Sequence, residues 1–215
     1  MVRKTKDASD NTYASLLEAA EQVFFEKGVA GTTLADIATA AGVTRGAIYW
    51  HFEDKASLLK ALLDQAMLPM QAMLSALDDG PQPDPLGAVR NMCVQSLVTL
   101  AQSPQQQRIF TILFHKCENV GDVAVMLAEE MRCRDEYLSR TKRLLQQAQD
   151  MGQLPADADV SLCMQVLHSF MAGTKHQWLV MQPPYPLDQA APAMVDAVLA
   201  GLRTSPPRKL SLPKA

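Results

Sequence analysis

Residues 44–51 read TRGAIYWH and bring together groups that can contact nucleic acid. The Arg45 guanidinium can hydrogen-bond a guanine edge through two nitrogens or hold a phosphate, and the Tyr49 hydroxyl can donate to a phosphate. Gly46 lacks a side chain, so the backbone there can lie close to a second molecule. The residues of this segment that we expect to contact nucleic acid are Thr44, Arg45, Gly46, Tyr49, Trp50 and His51.

Two short helices joined by a tight turn would place these side chains on one surface. Thr33 is a natural N-cap, and the small and aliphatic residues that follow it recur at helical spacing. Gly42 can adopt the positive φ with which many helices end, and Thr44 can cap the next helix. The pattern predicts a helix-turn-helix whose second helix reads DNA. The alternative is that three small helices pack together for structural reasons alone.

Basic residues outside this segment extend the predicted DNA-binding surface. Asp54 can cap the helix that begins at Lys55, and a lysine beside the free N–H groups of a helix start suits a phosphate. Arg3, Lys4 and Lys6 form a basic arm ahead of the first predicted helix, where they can follow a phosphate backbone or a minor groove. A solvated tail is the alternative for this arm. The predicted DNA contacts outside residues 44–51 are Lys4, Thr33 and Lys55.

Proline, glycine and capping residues divide the chain into about nine helices, and few strand-like alternations occur. We therefore expect an all-α fold with three parts. Residues 1–54 are predicted to form a three-helix DNA-binding domain, residues 55–204 a helical ligand-binding and dimerisation domain, and residues 205–215 a flexible tail. The predicted helices outside the reader span residues 12–27, 55–77, 85–102, a segment after 103, 120–151, a segment ending at 181, and 191–203. Asp84 is expected to cap the helix that begins at residue 85, Gly152 to end the long helix before it, and Asp157 or Asp159 to cap the helix that ends at 181. Pro69 lies inside the fourth helix and is expected to kink it.

Composition and motifs argue against several classes of protein. The chain has 215 residues, 48% of them hydrophobic, and a net charge of −3, so its overall charge gives no signal for nucleic acid. It has no apolar run of ~18 residues and no signal-peptide pattern, which predicts a cytoplasmic protein without a membrane partner. Nucleotide-binding glycine patterns and hydrolase nucleophile motifs do not occur, so we expect no enzyme and no cofactor.

The chain contains four scattered cysteines, Cys93, Cys117, Cys133 and Cys163. Without a CxxC pair, this spacing indicates neither a zinc site nor a disulfide framework. We interpret the cysteines as small buried apolar groups, with redox sensing as the alternative. Cys117 also lies between His115 and Glu118, but residues two and three apart do not share one helix face well, so no metal site is expected.

The segment TTLADIATAAGVTRGAIYWHFEDK resembles the DNA-binding domain of the TetR family of transcriptional regulators. Within it, GVTRGAIYWHF is similar to the branch of AcrR-like and TtgR-like repressors of multidrug efflux pumps. VRKTK, LLEAAEQVFFEKGVAGTTLADIA, ILFHKCE and GQLPADAD also look like that branch, so the resemblance covers most of the chain. Glu53 and Asp54 depart from it, because many relatives carry a basic or amide residue beside the lysine.

The resemblance implies a ligand-responsive repressor. Such a protein would bind a palindromic double-stranded operator as a homodimer, release it on binding a hydrophobic drug-like inducer, and control a multidrug efflux-pump operon. One alternative is a regulator of the same family that senses an acyl or aromatic metabolite and controls a metabolic operon. The others are a helical enzyme or pure interaction module, and a repressor that binds no small ligand.

The last two predicted helices carry apolar residues on more than one face, which indicates partners on two sides. The resemblance implies that they form a four-helix dimer interface with the same pair of a second chain. The residues expected there are Val166, Phe170, Met194, Val195, Val198 and Leu202. Packing of the same faces within one chain is the alternative.

Twelve methionines are many for a chain of this length, and several fall in the predicted ligand-binding domain. Methionine is flexible and polarisable, which suits a pocket that accepts several shapes. The resemblance implies a pocket among helices four to eight, although each such residue can equally belong to a core. The residues expected to line the pocket are Met67, Met70, Met92, Cys93, Ser96, Phe110, Leu113, Phe114, Tyr137, Thr141, Leu167, His168, Met171 and Lys175.

Overall fold

The computed structural model describes residues 2–76, 80–117, 138–181 and 183–209. Within these ranges the regular structure is helical, apart from one isolated bridge between Ala158 and Arg208. The helices are α1 Val2–Lys27, α2 Leu34–Ala40, α3 Arg45–His51, α4 Lys55–Ala76, α5 Pro85–Gln102, α6 Pro104–His115, α7 over residues 138–150, α8 Val160–Met181 and α9 Leu187–Thr204. The predicted all-α fold is confirmed.

The described residues group into two compact units. Unit 1 contains the residues up to Leu68 and those from Gln105 to 117, and unit 2 contains those from Pro69 to Pro104 and from 138 onward. The boundary between the two units therefore lies within α4, between Leu68 and Pro69, the proline inside this helix. By compactness the first part of α4 and α6 belong with the reader, whereas the functional division at residues 54 and 55 stays a prediction.

Unit 1 has a continuous apolar core to which α1, α2, α3, α4 and α6 all contribute. Phe24, Ile37 and Ile48 are fully buried in it, and Leu59 and Ile109 bring α4 and α6 into the same cluster. Burying an aliphatic or aromatic side chain of this size stabilises the fold by roughly 1.5–3 kcal/mol each. The short α2 and α3, each of seven residues, thus owe their stability to tertiary packing rather than to their own length.

Unit 2 is built around α5, which packs against α9 and α8. One face of α9 is buried at a helical spacing, and the Arg90 guanidinium of α5 pairs with the Asp196 carboxylate of α9. The buried face of α9 consists of Leu187, Ala191, Val195, Leu199 and Leu202. Glutamine side chains at the end of α7 hold the connecting loops, since the amide of Gln149 donates to the carbonyls of Pro155 and Ala158 at 2.9 Å each.

Several predicted helix ends are confirmed by their caps. The Asp84 carboxylate accepts a hydrogen bond from the Gly87 amide at 2.9 Å at the start of α5. The Asp159 carboxylate accepts from the Ser161 amide at 2.9 Å at the start of α8. Gly152, with a φ of 74°, follows the end of α7 as predicted. The predicted start of this helix lies outside the described residues.

Two helix starts differ from the prediction. Helix α1 begins at Val2 rather than near Thr12, because residues 2–11 contain no proline or glycine to stop it. Lys4 and its basic neighbours therefore lie in the first turns of α1 and not in an arm ahead of it. Helix α9 begins at Leu187 rather than near residue 191, with Pro192 inside it. Pro192 lies in the second turn, where it removes one backbone hydrogen bond and crowds the carbonyl of Asp188, and the buried face of α9 offsets this cost.

The first residues of the predicted tail are folded onto unit 2. The Asp159 amide donates to the Pro207 carbonyl at 2.8 Å, and Arg208 pairs with Asp157 at 3.1 Å. Residues 205–209 therefore pack against the turn before α8, and the prediction of a flexible tail is wrong for these residues. Residues 210–215 lie outside the described ranges. None of the helices described here combines the length and apolar character that crossing a membrane requires.

Candidate nucleic-acid interface and ligand-binding residues

The turn between α2 and α3 has the geometry that the sequence predicts. Gly42 has a φ of 68°, a conformation that side chains rarely adopt, and nothing within 4 Å would meet a Cβ there. The Val43 amide donates to the Ala38 carbonyl at 2.9 Å and closes the turn. Gly42 is therefore required for its backbone conformation rather than for space.

Both predicted N-caps are formed. The Thr33 hydroxyl accepts from the Asp36 amide at 3.2 Å, while the Asp36 carboxylate accepts from the Thr33 amide at 2.9 Å and from its hydroxyl at 2.6 Å. This reciprocal capping box fixes the start of α2. The hydrogen bonds from Thr33, together with the Lys27 charge, hold the pKa of the Asp36 carboxyl below its usual value. The Thr44 hydroxyl accepts from the Ala47 amide at 3.2 Å and fixes the start of α3.

Helix α3 buries Ile48 and exposes four of its seven residues. Ile48 is fully buried, whereas 60% of Tyr49 and 82% of Trp50 are exposed. Arg45 and Gly46 are exposed in the first turn of the same helix. The predicted reading residues of α3 thus share an open surface.

His51 and Lys55 are less available for DNA than the α3 residues. The His51 ring packs edge to face on Tyr13 at 5.8 Å between ring centres. The Lys55 ammonium donates to the carbonyls of Val29 at 2.8 Å and Ala30 at 3.3 Å, which ties the start of α4 to the loop after α1. Lys55 thus has a structural role that the sequence did not indicate. An ammonium has three donors, so these bonds leave the predicted phosphate contact open.

Unit 2 contains eight of the predicted ligand-binding residues on α5, α7 and α8, and most of them belong to its core. The buried ones are Met92, Cys93, Ser96, Thr141, Leu167 and Met171, while His168 and Lys175 are half-buried. Burial raises the pKa of the Cys93 thiol to about 12, and the positive charge of Lys175 opposes this shift. A thiol held protonated in this way packs as an apolar group of the core and is not a nucleophile.

A cavity of about 380 Å³ lies in unit 2 between the last turns of α4 and the first turns of α5. Of the predicted ligand-binding residues, only Met92 lines it. The sequence prediction missed its polar lining of Gln82, Asn91 and Asp84, of which Asp84 was identified only as a cap. Met70 is half-buried on the same part of α4 but does not line this cavity.

The other predicted ligand-binding residues belong to unit 1. Met67 on α4 and Phe110, Leu113 and Phe114 on α6 are all half-buried. The rings of Phe110 and Phe114 stack at 5.8 Å between centres with an angle of 27°, and so form one flat aromatic surface. Tyr137 lies outside the described residues. The structure therefore divides the predicted pocket residues between the two units.

The predicted dimer residues fall into two sets. Val195 is fully buried and Leu202 is 3% exposed within a single chain, because both belong to the face of α9 that packs in unit 2. A side chain already buried in its own chain offers no surface to a partner, so these two assignments are wrong. Val166 is 44% exposed, and Phe170, Met194 and Val198 are half-buried. These four remain available for a partner.

Neither a metal site nor a reactive thiol is present in the described part of the chain. No group of three or more metal-ligating side chains occurs there, and Glu118 of the excluded His115, Cys117 and Glu118 set lies outside it. Cys93 and Cys163 are buried and Cys117 is half-buried, and burial raises the pKa of each thiol. Cys133 lies outside the described residues.

Comparison with known proteins gives the family of this chain. Residues 16–62 match the family described as "Bacterial regulatory proteins, tetR family", and residues 84–204 match "MAATS-type transcriptional repressor, C-terminal region". The regulator TtgR of Pseudomonas putida is 37% identical over 206 residues, which cover 96% of this chain and 98% of TtgR.

Two solved structures share the fold over almost the full length. NalD, the secondary repressor of the MexAB-OprM multidrug efflux pump in Pseudomonas aeruginosa, has a TM-score of 0.77 at 30% identity and covers 93% of this chain and 99% of its own. SmeT of Stenotrophomonas maltophilia in complex with triclosan has a TM-score of 0.77 at 28% identity and covers 95% of this chain and 99% of its own. The chain therefore belongs to the TetR family of transcriptional regulators and is a DNA-binding regulator rather than an enzyme.

Proposed function

We propose that this protein represses a multidrug efflux-pump operon in the cytoplasm. It binds a palindromic operator as a homodimer, and a hydrophobic drug-like molecule releases it. The observation that carries this proposal is the end-to-end likeness to NalD and SmeT, which are both repressors of multidrug efflux pumps. The likeness includes both the helix-turn-helix segment and the helices after it, so it supports ligand binding as well as DNA binding.

The open surface of α3 supplies the proposed DNA contacts. Arg45 hydrogen-bonds a guanine edge or a phosphate in the major groove, and Gly46 beside it lets the helix lie close to the DNA. Tyr49 and Trp50, the most exposed large side chains of the helix, donate to phosphates or contact thymine methyl groups. The caps of Thr33 and Thr44 fix where the two helices begin.

Dimerisation supplies the specificity that one short helix lacks. A helix of seven residues reads only a few base pairs, whereas two copies related by a two-fold axis read two half-sites about 34 Å apart or more. The exposed faces of α8 and α9, with Val166, Phe170, Met194 and Val198, form the interface in this proposal.

Release of the operator by the inducer then follows from a population shift. In one conformation of the dimer the two α3 helices no longer match two successive half-sites. An inducer that binds this conformation better lowers operator affinity, and a coupling free energy of ~1–3 kcal/mol lowers that affinity by roughly 5-fold to 150-fold.

Fluorescence anisotropy of the full-length protein on DNA from upstream of its own gene tests the proposal. We expect tight binding at fixed salt, loss of binding when one half-site is scrambled, and release by triclosan and by unrelated hydrophobic antibiotics. The salt concentration must be held constant because phosphate contacts make DNA affinity strongly salt-dependent. Binding that no hydrophobic compound disturbs would contradict the proposed ligand class, and absence of binding to this DNA and to pump promoters would contradict the repressor itself.

A further inference from the structure

A cleft of about 620 Å³ lies within unit 1, between α1, α4 and α6. Its size is in the range of small-molecule sites. None of the residues predicted to bind the inducer lines it, and it is separate from the cavity of unit 2. The lining residues used below are Tyr13, Leu17, Glu18 and Glu21 on α1, Asp64 and Leu68 on α4, and Arg108 on α6.

The charge of this cleft is negative. Its lining includes three carboxylates and a single guanidinium. The Arg108 guanidinium is paired with the Glu21 carboxylate, whose side chain is 4% exposed. The two charges of this pair therefore cancel, and the pair adds no net charge to the cleft. The Asp64 carboxylate is exposed and accepts from the Lys60 ammonium through both oxygens, at 3.1 Å and 2.9 Å, an ion pair of a kind that water largely screens. Glu18 is exposed on α1 and lies in neither pair.

The cleft also has apolar walls. Leu17 is 8% exposed at its base, while Leu68 is 57% exposed and Tyr13 is 38% exposed at its sides. An aromatic face next to carboxylates attracts a cation through the ring as well as through the charge. Apolar surface beside the Glu18 carboxylate and the solvent-screened Asp64 pair is complementary to a molecule that joins a positive charge to a hydrophobic body.

We propose that this cleft is a second ligand site, which binds a lipophilic organic cation between α1 and α4. The hydrophobic body of the ligand lies on Leu17, Leu68 and the Tyr13 ring, and its positive charge lies near Glu18 and Asp64. The site belongs to unit 1 alone and is independent of the inducer pocket proposed among the later helices.

Tyr13 links this site to the reading helix. Its ring stacks on Phe52 at 5.2 Å between centres with an angle of 25°, and it meets the His51 ring edge to face at 5.8 Å. His51 is the last residue of α3 and Phe52 is its C-cap. A ligand that covers Tyr13 therefore contacts the side chain that packs on the C-terminal end of α3.

Isothermal titration calorimetry of the full-length protein with tetraphenylphosphonium tests the proposal without DNA. We expect saturable binding, and weaker binding of the neutral analogue triphenylphosphine oxide. Glu18→Gln and Asp64→Asn should each weaken cation binding by about threefold, the scale of one partly exposed charge contact. Leu68→Gln should weaken both compounds, because it removes apolar contact surface.

Glu26→Gln is the matched control, since Glu26 is an exposed carboxylate of α1 that does not line the cleft. It should bind tetraphenylphosphonium as the unaltered protein does, and circular dichroism should give the same thermal midpoint for all four variants. Wild-type affinity in both Glu18→Gln and Asp64→Asn would overturn the proposal, including the case in which the cation binds elsewhere on the chain. No binding of tetraphenylphosphonium at all would overturn it as well.

Discussion

At the scale of single residues, the reading surface separates side chains that support the fold from those that face outward. Thr33 and Thr44 are committed to caps, and Ile48 is buried. Tyr49 and Trp50 contribute little to the core, because most of each side chain is exposed. Substitution at these two positions should therefore separate DNA binding from folding.

Tyr49→Ala should weaken operator binding by about tenfold, which corresponds to the ~1–3 kcal/mol typical of a good base or backbone contact. The thermal midpoint should change little, because the side chain is 60% exposed. Anisotropy on the operator and circular dichroism measure the two effects. Tyr185→Ala is the matched control, since Tyr185 is an exposed tyrosine of unit 2, and it should bind the operator as the unaltered protein does. Equal affinity of the two variants would exclude Tyr49 from the DNA contacts.

Lys55 has a measurable structural role. Its ammonium hydrogen-bonds the carbonyls of Val29 and Ala30, and hydrogen bonds to charged groups stabilise a fold by about 1.5–3 kcal/mol. Lys55→Met should lower the thermal midpoint, whereas Lys60→Met should leave it nearly unchanged, because the Lys60 pair with Asp64 is exposed. Thermal unfolding by circular dichroism distinguishes them.

The salt dependence of operator binding tests the second role predicted for Lys55. If this lysine also neutralises a phosphate, Lys55→Met should reduce the slope of log affinity against log salt by about 0.9. An unchanged slope together with a lowered midpoint would make Lys55 a positioning residue only.

At the scale of elements, local sequence signals predicted the helix ends well where a cap defines them. Thr33, Asp84 and Gly152 mark ends that the structure confirms. The start of α1 was missed because polar residues without a proline or glycine fit a helix as well as an arm. The start of α9 was missed because Pro192 looks like a helix breaker, whereas the helix retains it in its second turn and is held by its buried face.

The capping box of α2 predicts a pH-dependent contribution to stability. Hydrogen bonds from Thr33 lower the pKa of the Asp36 carboxyl from 3.8 in the folded protein. A lowered pKa means that the contribution is present above pH 3.8 and is lost as the pH falls through the lower, folded-state value. Asp36→Asn should therefore destabilise the protein at pH 7 and have less effect in strong acid. Thermal unfolding over this pH range measures it.

Thr33→Val is the matched variant for this prediction, because it removes the hydroxyl that is the main cause of the lowered pKa. It should reduce the same acid-dependent part of the stability while retaining the carboxylate. An Asp36→Asn protein whose midpoint follows that of the unaltered protein at every pH would contradict the role of this cap.

At the scale of the whole molecule, the sequence alone does not show which faces of α8 and α9 are buried within the chain and which are left for a partner. Both helices are apolar on more than one side, and sequence spacing does not say which face a chain buries in itself. The α9 face that includes Val195 and Leu202 is buried within unit 2, where α9 packs against α5. Val198 and Met194 lie on another face and are only half-buried. The same limit applies to the cleft of unit 1, whose lining comes from three helices distant in sequence.

The exposed face of α8 should carry the dimer, and Val166 tests it. Val166→Glu would place a charge in an apolar interface that excludes water, at a cost of several kcal/mol per buried unpaired ion, so it should shift the protein from dimer to monomer. Sedimentation velocity measures this shift, and operator affinity should fall with it, because one head reads only half of a palindrome. Met151→Glu is the control, since Met151 is 54% exposed at the end of α7, outside α8 and α9, and it should stay dimeric. If Val166→Glu sediments as the unaltered protein does, the interface lies on a different face, whatever the operator affinity.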